Sequence, residues 1–265
     1  MTDVSDLRRD LTAEQEALDA IVGDLAEDRW QRPTSSPGWT VADQIGHLTY
    51  FDSTATLAIV DPDAFRTTVG ELLGAGEGGA IDGLTLHRHL GPVDLLDAWR
   101  ASRAGLAEAA ATLADGARVP WYGPPMSARS FLTARMMECW AHGQDVVDAL
   151  GAEREPTARL RHVAQIGFLT RGWSYVNRGL EPPTGPVRLE LTPPEAGGEE
   201  RWTWGPDDAA DAVRGPALDF CLVVTQRRHA ADTALEVVGD LARGWLDIAQ
   251  AFAGPATRGP ARRGS

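Results

Sequence analysis

A chain of 265 residues, 43% hydrophobic and 24% charged, is long enough for one large or two modest domains with proper cores. Its formal net charge of −13 disfavours a nucleic-acid partner. All 25 basic residues are arginine, so Schiff-base lysine chemistry, pyridoxal phosphate catalysis and a Walker A phosphate loop are excluded.

The first 28 residues carry Leu7, Leu11, Leu18, Ile21 and Leu25 at mixed three- and four-residue spacings, which predicts an amphipathic helix over 3–28. The opening MTDVSDLRRDLTAEQ lacks the apolar centre of a signal peptide. Pro33 and Pro37-Gly38 break the chain, and a second helix is expected from Thr40 to Val60, with Thr40 as N-cap and Asp43 three residues on. Residues 61–91, Gly-rich around GAGEGGAIDG, read as an irregular loop or lid with short helical pieces. Further helices are predicted over 92–115, opened by Pro92, over 127–150, opened by Ser127 and closed by Gly151, and over 158–178. After Gly179 the character changes. PPTGP is a break, VRLEL alternates as a strand does, and RWTWG is its partner across the turn PPEAGGEE. A helix over 216–229, a strand at ALEVV and a helix near 241–252 complete the pattern. The expected organisation is a helical bundle over 1–178, a small α+β domain over 185–253 and a disordered Gly/Pro/Arg-rich tail over 254–265. No run of 18 apolar residues predicts a membrane span, and the two cysteines, Cys139 and Cys221, are too few for a disulfide scaffold. A cytoplasmic protein is expected.

The chemistry concentrates on the 127–150 helix. At 100° per residue, Arg135, Glu138, His142 and Asp145 fall within about an 80° stripe. Glu138 and His142 are one turn apart, roughly 6 Å along the axis, so both side chains can reach one ion. A solvated polar face is the plainer alternative for this pair alone. His47, in the apolar and aromatic setting of PGWTVADQIGHLTYFD, supplies a third ligand if the bundle brings it opposite. Two imidazoles and one carboxylate suit a divalent ion, zinc first, with room for water or substrate. Asp43 and Asp145 are candidates for orienting the imidazoles, and Arg135 for contacting substrate.

Taken together, PTSSPGWTVADQIGHL and MMECWAHGQDVVDALG resemble the DinB-like metal-binding superfamily, and more narrowly the mycothiol-dependent maleylpyruvate isomerases and related mycothiol transferases. PALDFCLVVTQRRH and GWLDIAQAF resemble that family's smaller C-terminal domain. The resemblance implies an up-down-down-up four-helix bundle with metal held by His47, Glu138 and His142. It also implies mycothiol, an actinobacterial thiol, as a cosubstrate, with a small electrophile as the other reactant. A lysine-free chain rich in Ala, Gly and Arg fits such an origin. Two other functions stay open: a hydrolase using metal-bound water, and a non-enzymatic metal- or ligand-binding protein.

Other signals are weaker. His87-x-His89 lies in the Gly-rich region with no cysteine or carboxylate pair beside it. Cys139 sits about 100° round the helix from Glu138 and reads as a buried structural thiol. Trp202 and Trp204 are expected to pack the smaller domain. Arg227, Arg228 and His229 read first as helix C-terminal charges and second as a recognition patch. Arg258, Arg262 and Arg263 fall in the tail.

Overall fold

The computed structural model describes residues 3–74, 87–194 and 201–263. The chain divides into two compact units, Met1–Glu153 and Arg154–Ser265.

The first unit is built on α1 (Val4–Val22), α2 (Val41–Val60), α4 (Pro92–Ala110) and α5 (Ala128–Leu150), with α3 (Pro62–Gly74) between α2 and α4. In the bundle, α2 packs on α4 and α5, and α1 packs on α5 and α4. Leu7, Leu11 and Leu18 bury the inner face of α1 as their spacing predicts, but the helix stops at Val22, short of residue 28. There the backbone N–H of Gly23 bonds back to the Asp19 carbonyl, and a short 3-10 turn, Glu27–Gln31, follows. Trp30, Trp99, Phe65 and Phe131 fill the core between the helices. Two-residue strands β1 (Arg118–Val119) and β2 (Met126–Ser127) pair antiparallel just ahead of α5.

Local rules account for the two helices that matter most. Thr40 and Asp43 form a reciprocal capping box: the Asp43 carboxylate accepts from the Thr40 N–H at 2.8 Å, and the Thr40 hydroxyl accepts from the Asp43 N–H at 3.3 Å. Ser127 caps α5 by accepting from the Ser130 N–H, and Gly151, at φ +61°, ends it in the left-handed conformation a glycine tolerates. The 61–91 segment departs from expectation over its first part, where α3 is a regular helix with the Asp61 carboxylate accepting from the Ala64 N–H. Residues 75–86, which hold most of the predicted Gly-rich lid, lie outside the described residues.

The second unit has a four-stranded sheet of order β4-β3-β5-β6, formed by β3 (Val187–Thr192), β4 (Trp202–Trp204), β5 (Asp211–Pro216) and β6 (Glu236–Val238). The predicted VRLEL and RWTWG strands pair antiparallel, with Leu189 opposite Trp204. β3 and β5 run parallel, and β5 and β6 antiparallel. Along β3, Val187, Leu189 and Leu191 are buried while Arg188 and Glu190 alternate with them. The unit also contains α6 (Leu160–Leu169), α7 (Arg171–Val176), α8 (Ala217–Val224) and α9 (Asp240–Leu246).

Several boundaries of this unit differ from the sequence reading: α8 ends at Val224 rather than at 229, and α9 at Leu246 rather than near 252. The 158–178 segment is two helices meeting at Thr170, whose hydroxyl bonds the carbonyls of Ile166 and Gly167. It belongs to the second unit rather than to the bundle. The cause is packing: a Cβ added at Gly167 would lie 2.7 Å from the Val224 side chain, the Cys221 thiol meets the Leu160 carbonyl, and the Trp204 indole donates to Gln165 at 2.5 Å. The segment after Gly254 forms no helix or strand, yet through Arg263 it is held against its own unit rather than disordered. Asn177 donates to the Gly254 carbonyl, Gln250 to that of Pro255, and the Arg263 N–H to Asp232. No helix among the described residues is long and apolar enough to cross a membrane.

Candidate metal centre

The loop before α2 shapes the site. Ser36-Pro37-Gly38-Trp39 is a tight turn closed by the Trp39 N–H on the Ser36 carbonyl, with Gly38 at φ +77° where a type II turn requires a positive angle. Thr34 and Trp39 then pair by backbone, and Thr34 also donates its hydroxyl to the Trp39 carbonyl. Trp39 is thereby set beside the imidazoles. Its ring stacks on His142 at 5.8 Å and tilts against His47 at 5.2 Å, while Phe51, one turn further along α2, closes on His47 at 4.5 Å.

Between these rings, α2 and α5 bring His47, Glu138 and His142 together. One ligand atom from each lies within 4.8 Å of the others, and this is the one such metal-capable group among the described residues. Glu138 Oε2 is 3.1 Å from His142 Nε2 and 3.5 Å from His47 Nε2. Burial alone would raise the Glu138 pKa, but hydrogen bonds from His142 and His47 and nearby positive charge, including Arg135, hold it well below the usual carboxylate value. Burial, assisted by the charge of His142, pushes His47 down to about 4 against the opposing pull of Glu138. At neutral pH the site thus offers an ionised carboxylate and a neutral His47 imidazole, the protonation states that metal ligation needs.

The imidazole of His142 is oriented by a residue that sequence reasoning missed. Gln44, fully buried on α2, lies 2.5 Å through Oε1 from His142 Nδ1. Its Nε2 donates to the Thr34 hydroxyl at 2.9 Å, which fixes the amide so that Oε1 is the acceptor and Nδ1 carries a proton. Nε2 of His142 is left facing Glu138. The only signal for Gln44 in the sequence is its position one turn before His47.

The two aspartates expected to orient the imidazoles are otherwise engaged. Asp43 completes the cap of α2 and pairs with Arg88 at 2.8 Å. Asp145, buried, accepts from the hydroxyls of Ser35 at 2.9 Å and Ser36 at 3.4 Å, tying the Trp39 loop to α5. Arg135 lies one turn before Glu138, with its guanidinium carbon 4.9 Å over Trp121 and 5.5 Å from Phe51. His87 and His89 fall in the turn before α4, outside the metal-capable group. Both cysteines are buried, and burial pushes the Cys221 thiol up.

The fold and site define a helical-bundle protein with a two-histidine, one-glutamate group able to take a divalent ion, followed by a small α+β unit. Residues 11–147 match the family described as mycothiol maleylpyruvate isomerase N-terminal domain, and the chain belongs to that family. Residues 183–237 match a second family, described as wyosine base formation. Two curated relatives from strains of Mycobacterium tuberculosis, both described as uncharacterized proteins, are 45% identical over 98% of this chain and 100% of their own length. Two crystal structures of the mycothiol-dependent maleylpyruvate isomerase, one a histidine-to-alanine mutant, share the fold. Each gives a TM-score of 0.54 at 18% identity, covering 86% of this chain and 92% of the other for the mutant, and 89% and 95% for the second structure.

Proposed function

We propose that the protein is a metal-dependent enzyme that uses a low-molecular-weight thiol, mycothiol, in transfer to, or isomerisation of, a small electrophile. The observation that carries the reading is the convergence of three ligand atoms from His47, Glu138 and His142 in a chain of this family. Nitrogen and oxygen donors of this kind suit zinc, and three protein ligands leave a place for a reactant. A divalent ion bound there would supply the positive charge that lowers the pKa of a thiol and keeps it as thiolate at neutral pH.

The remaining work falls to the chain's own groups. Gln44 holds the Nδ1 proton of His142, so once an ion displaces the proton that Nε2 shares with Glu138, Nε2 would present its lone pair in a fixed direction. Glu138, kept ionised, contributes the single negative charge of the ligand set. Trp39 and Phe51 lie against the imidazoles and leave only a small part of them exposed, which strengthens the electrostatic interactions of the group.

Elemental analysis of untagged protein should find about one divalent ion per chain, and His47→Ala should lower that occupancy while the helical signal survives. An electrophile panel assayed with and without mycothiol then separates thiol chemistry from hydrolysis. Turnover independent of thiol would replace the proposal with a hydrolase, and a stoichiometric metal unaffected by His47→Ala would remove the site itself.

A further inference from the structure

Of the four seams between neighbouring bundle helices, the one between α1 and α4 is the loosest. The two helices run antiparallel there and are pinned at both ends. At one end Arg100 and Arg103 of α4 both pair with Asp19 of α1, and Arg103 also donates to the Gln15 carbonyl at 2.9 Å. At the other, the Val4 N–H bonds the Asp115 carboxylate at 3.0 Å. Between the pins α4 offers Ala107 and Ala110 to the seam, side chains too short to close it, and a groove of about 390 Å³ remains. That volume is in the range of a small-molecule site. The groove lies across the bundle from the α2–α5 seam that holds His47, Glu138 and His142.

Its lining has two characters. Leu11 and Leu106, both buried, form an apolar floor with Ala110. Arg8, Thr12 and Gln15 follow one another at helical spacing along the α1 wall, and Glu16 stands exposed toward the Asp19 end. The groove therefore has a cationic end at Arg8 and an acidic end two turns away. Arg8 forms no ion pair among the described residues, and its Nε is enclosed without a hydrogen-bond partner. Arg9 beside it is already paired with Asp6 at 2.9 Å. A guanidinium keeps its charge and its five donors, so an oxygen anion arriving at Arg8 gains charge-assisted hydrogen bonds that the protein itself leaves unmade. On a chain of net charge −13 such an uncompensated cation is a local exception.

We propose that the α1–α4 groove is a second ligand site, which takes one medium-length alkyl chain ending in a carboxylate. The chain lies on Leu11, Leu106 and Ala110, and the carboxylate on Arg8. Both halves of the ligand are needed to use the groove: a bare anion leaves the apolar floor in water, and a neutral hydrocarbon leaves Arg8 unmet. The acidic end at Glu16 sets the direction, because a carboxylate placed there would meet like charge. The site is separate from the metal group, and the inference does not rest on the thiol reading.

The test is calorimetric binding of octanoate, hexanoate and 1-octanol to the metal-loaded protein. Octanoate should bind about 10–100-fold more tightly than 1-octanol, the effect of hydrogen bonds to a charged group. Shortening it to hexanoate should cost about fourfold for each methylene removed. Arg8→Met should bring octanoate down to the level of 1-octanol and leave 1-octanol unchanged; should that variant not fold, Arg8→Gln, which removes the charge and keeps a polar side chain, makes the same test. Ala107 is exposed on α4, so Ala107→Phe should leave the fold intact, fill the groove and abolish binding of both. His47→Ala should leave octanoate binding as it is in wild type. Absence of octanoate binding at millimolar concentration, equal affinity for acid and alcohol, or affinity independent of chain length would overturn the proposal. So would octanoate binding that survives Ala107→Phe, or that is lost in His47→Ala, since the carboxylate would then sit at the metal group.

Discussion

Replacing Gln44 by Met removes one acceptor and one donor while nearly conserving volume. In the structure Gln44 is fully buried, so water cannot take its place at His142 Nδ1 or at the Thr34 hydroxyl. Thr34 still donates to the Trp39 carbonyl, so its loss is confined to one accepted bond. The larger cost falls on the Nδ1 proton of His142, left without the 2.5 Å contact. A buried donor stripped of its partner costs about 1–3 kcal/mol, which should appear as lower stability of the metal-free protein. Metal affinity should fall about 10–100-fold, because the imidazole loses both its tautomer lock and its fixed orientation. Gln44→Glu keeps an acceptor against Nδ1 and should retain binding. Competition titration with a chromogenic chelator measures the affinities, and chemical unfolding measures the stability. Affinity in Gln44→Met within about twofold of wild type, with His142→Ala abolishing binding, would refute the role given to Gln44.

Asp145→Asn should change metal affinity less than Gln44→Met does, because Asp145 binds Ser35 and Ser36 on the Trp39 loop; chelator competition gives the comparison. Its effect should appear as increased mobility of the Trp39 indole by fluorescence anisotropy. Asp52, buried on α2 and accepting from Gln15 at 3.0 Å, has its carboxyl pushed up by burial to about 7. Its folded-state pKa exceeds the ordinary 3.8, so its contribution to stability is full below that value and is lost as pH rises through 7. Asp52→Asn should therefore raise the unfolding midpoint most above pH 7, with an advantage that shrinks toward pH 4. A constant difference across that range would contradict the assignment.

The parts of the fold legible in the sequence are those set by local chemistry. The Thr40–Asp43 capping box, Ser127 and Gly151 at the ends of α5, and the stripe of Glu138 and His142 follow from residue type and helical period alone. The alternation of Val187, Leu189 and Leu191 likewise revealed β3. What stayed hidden depends on tertiary partners. β5 pairs parallel with β3 through DAVRGP, a stretch whose short apolar core and flanking Gly-Pro give no strand signal of their own. The assignment of α6 to the second unit turns on Gly167 admitting Val224 and Phe220, a contact no period reports. The tail looked disordered by composition, yet Asn177 and Gln250 take its carbonyls and Asp232 takes the Arg263 N–H. At the site, His47 was legible as a histidine among aromatics, whereas Gln44 resembled any helical amide. Asp43 and Asp145 had the right face for orienting imidazoles, but a cap and a pair of loop serines use them instead.

The central claim, that His47, Glu138 and His142 hold an ion which receives a thiol, is tested most directly by absorption spectroscopy of the cobalt(II)-substituted protein. The account predicts that saturating mycothiol produces an intense sulfur-to-cobalt charge-transfer band, lost in His47→Ala and persisting well below the roughly 8.5 pKa of a free thiol. A cobalt-loaded wild-type protein whose spectrum does not change at saturating mycothiol would contradict it.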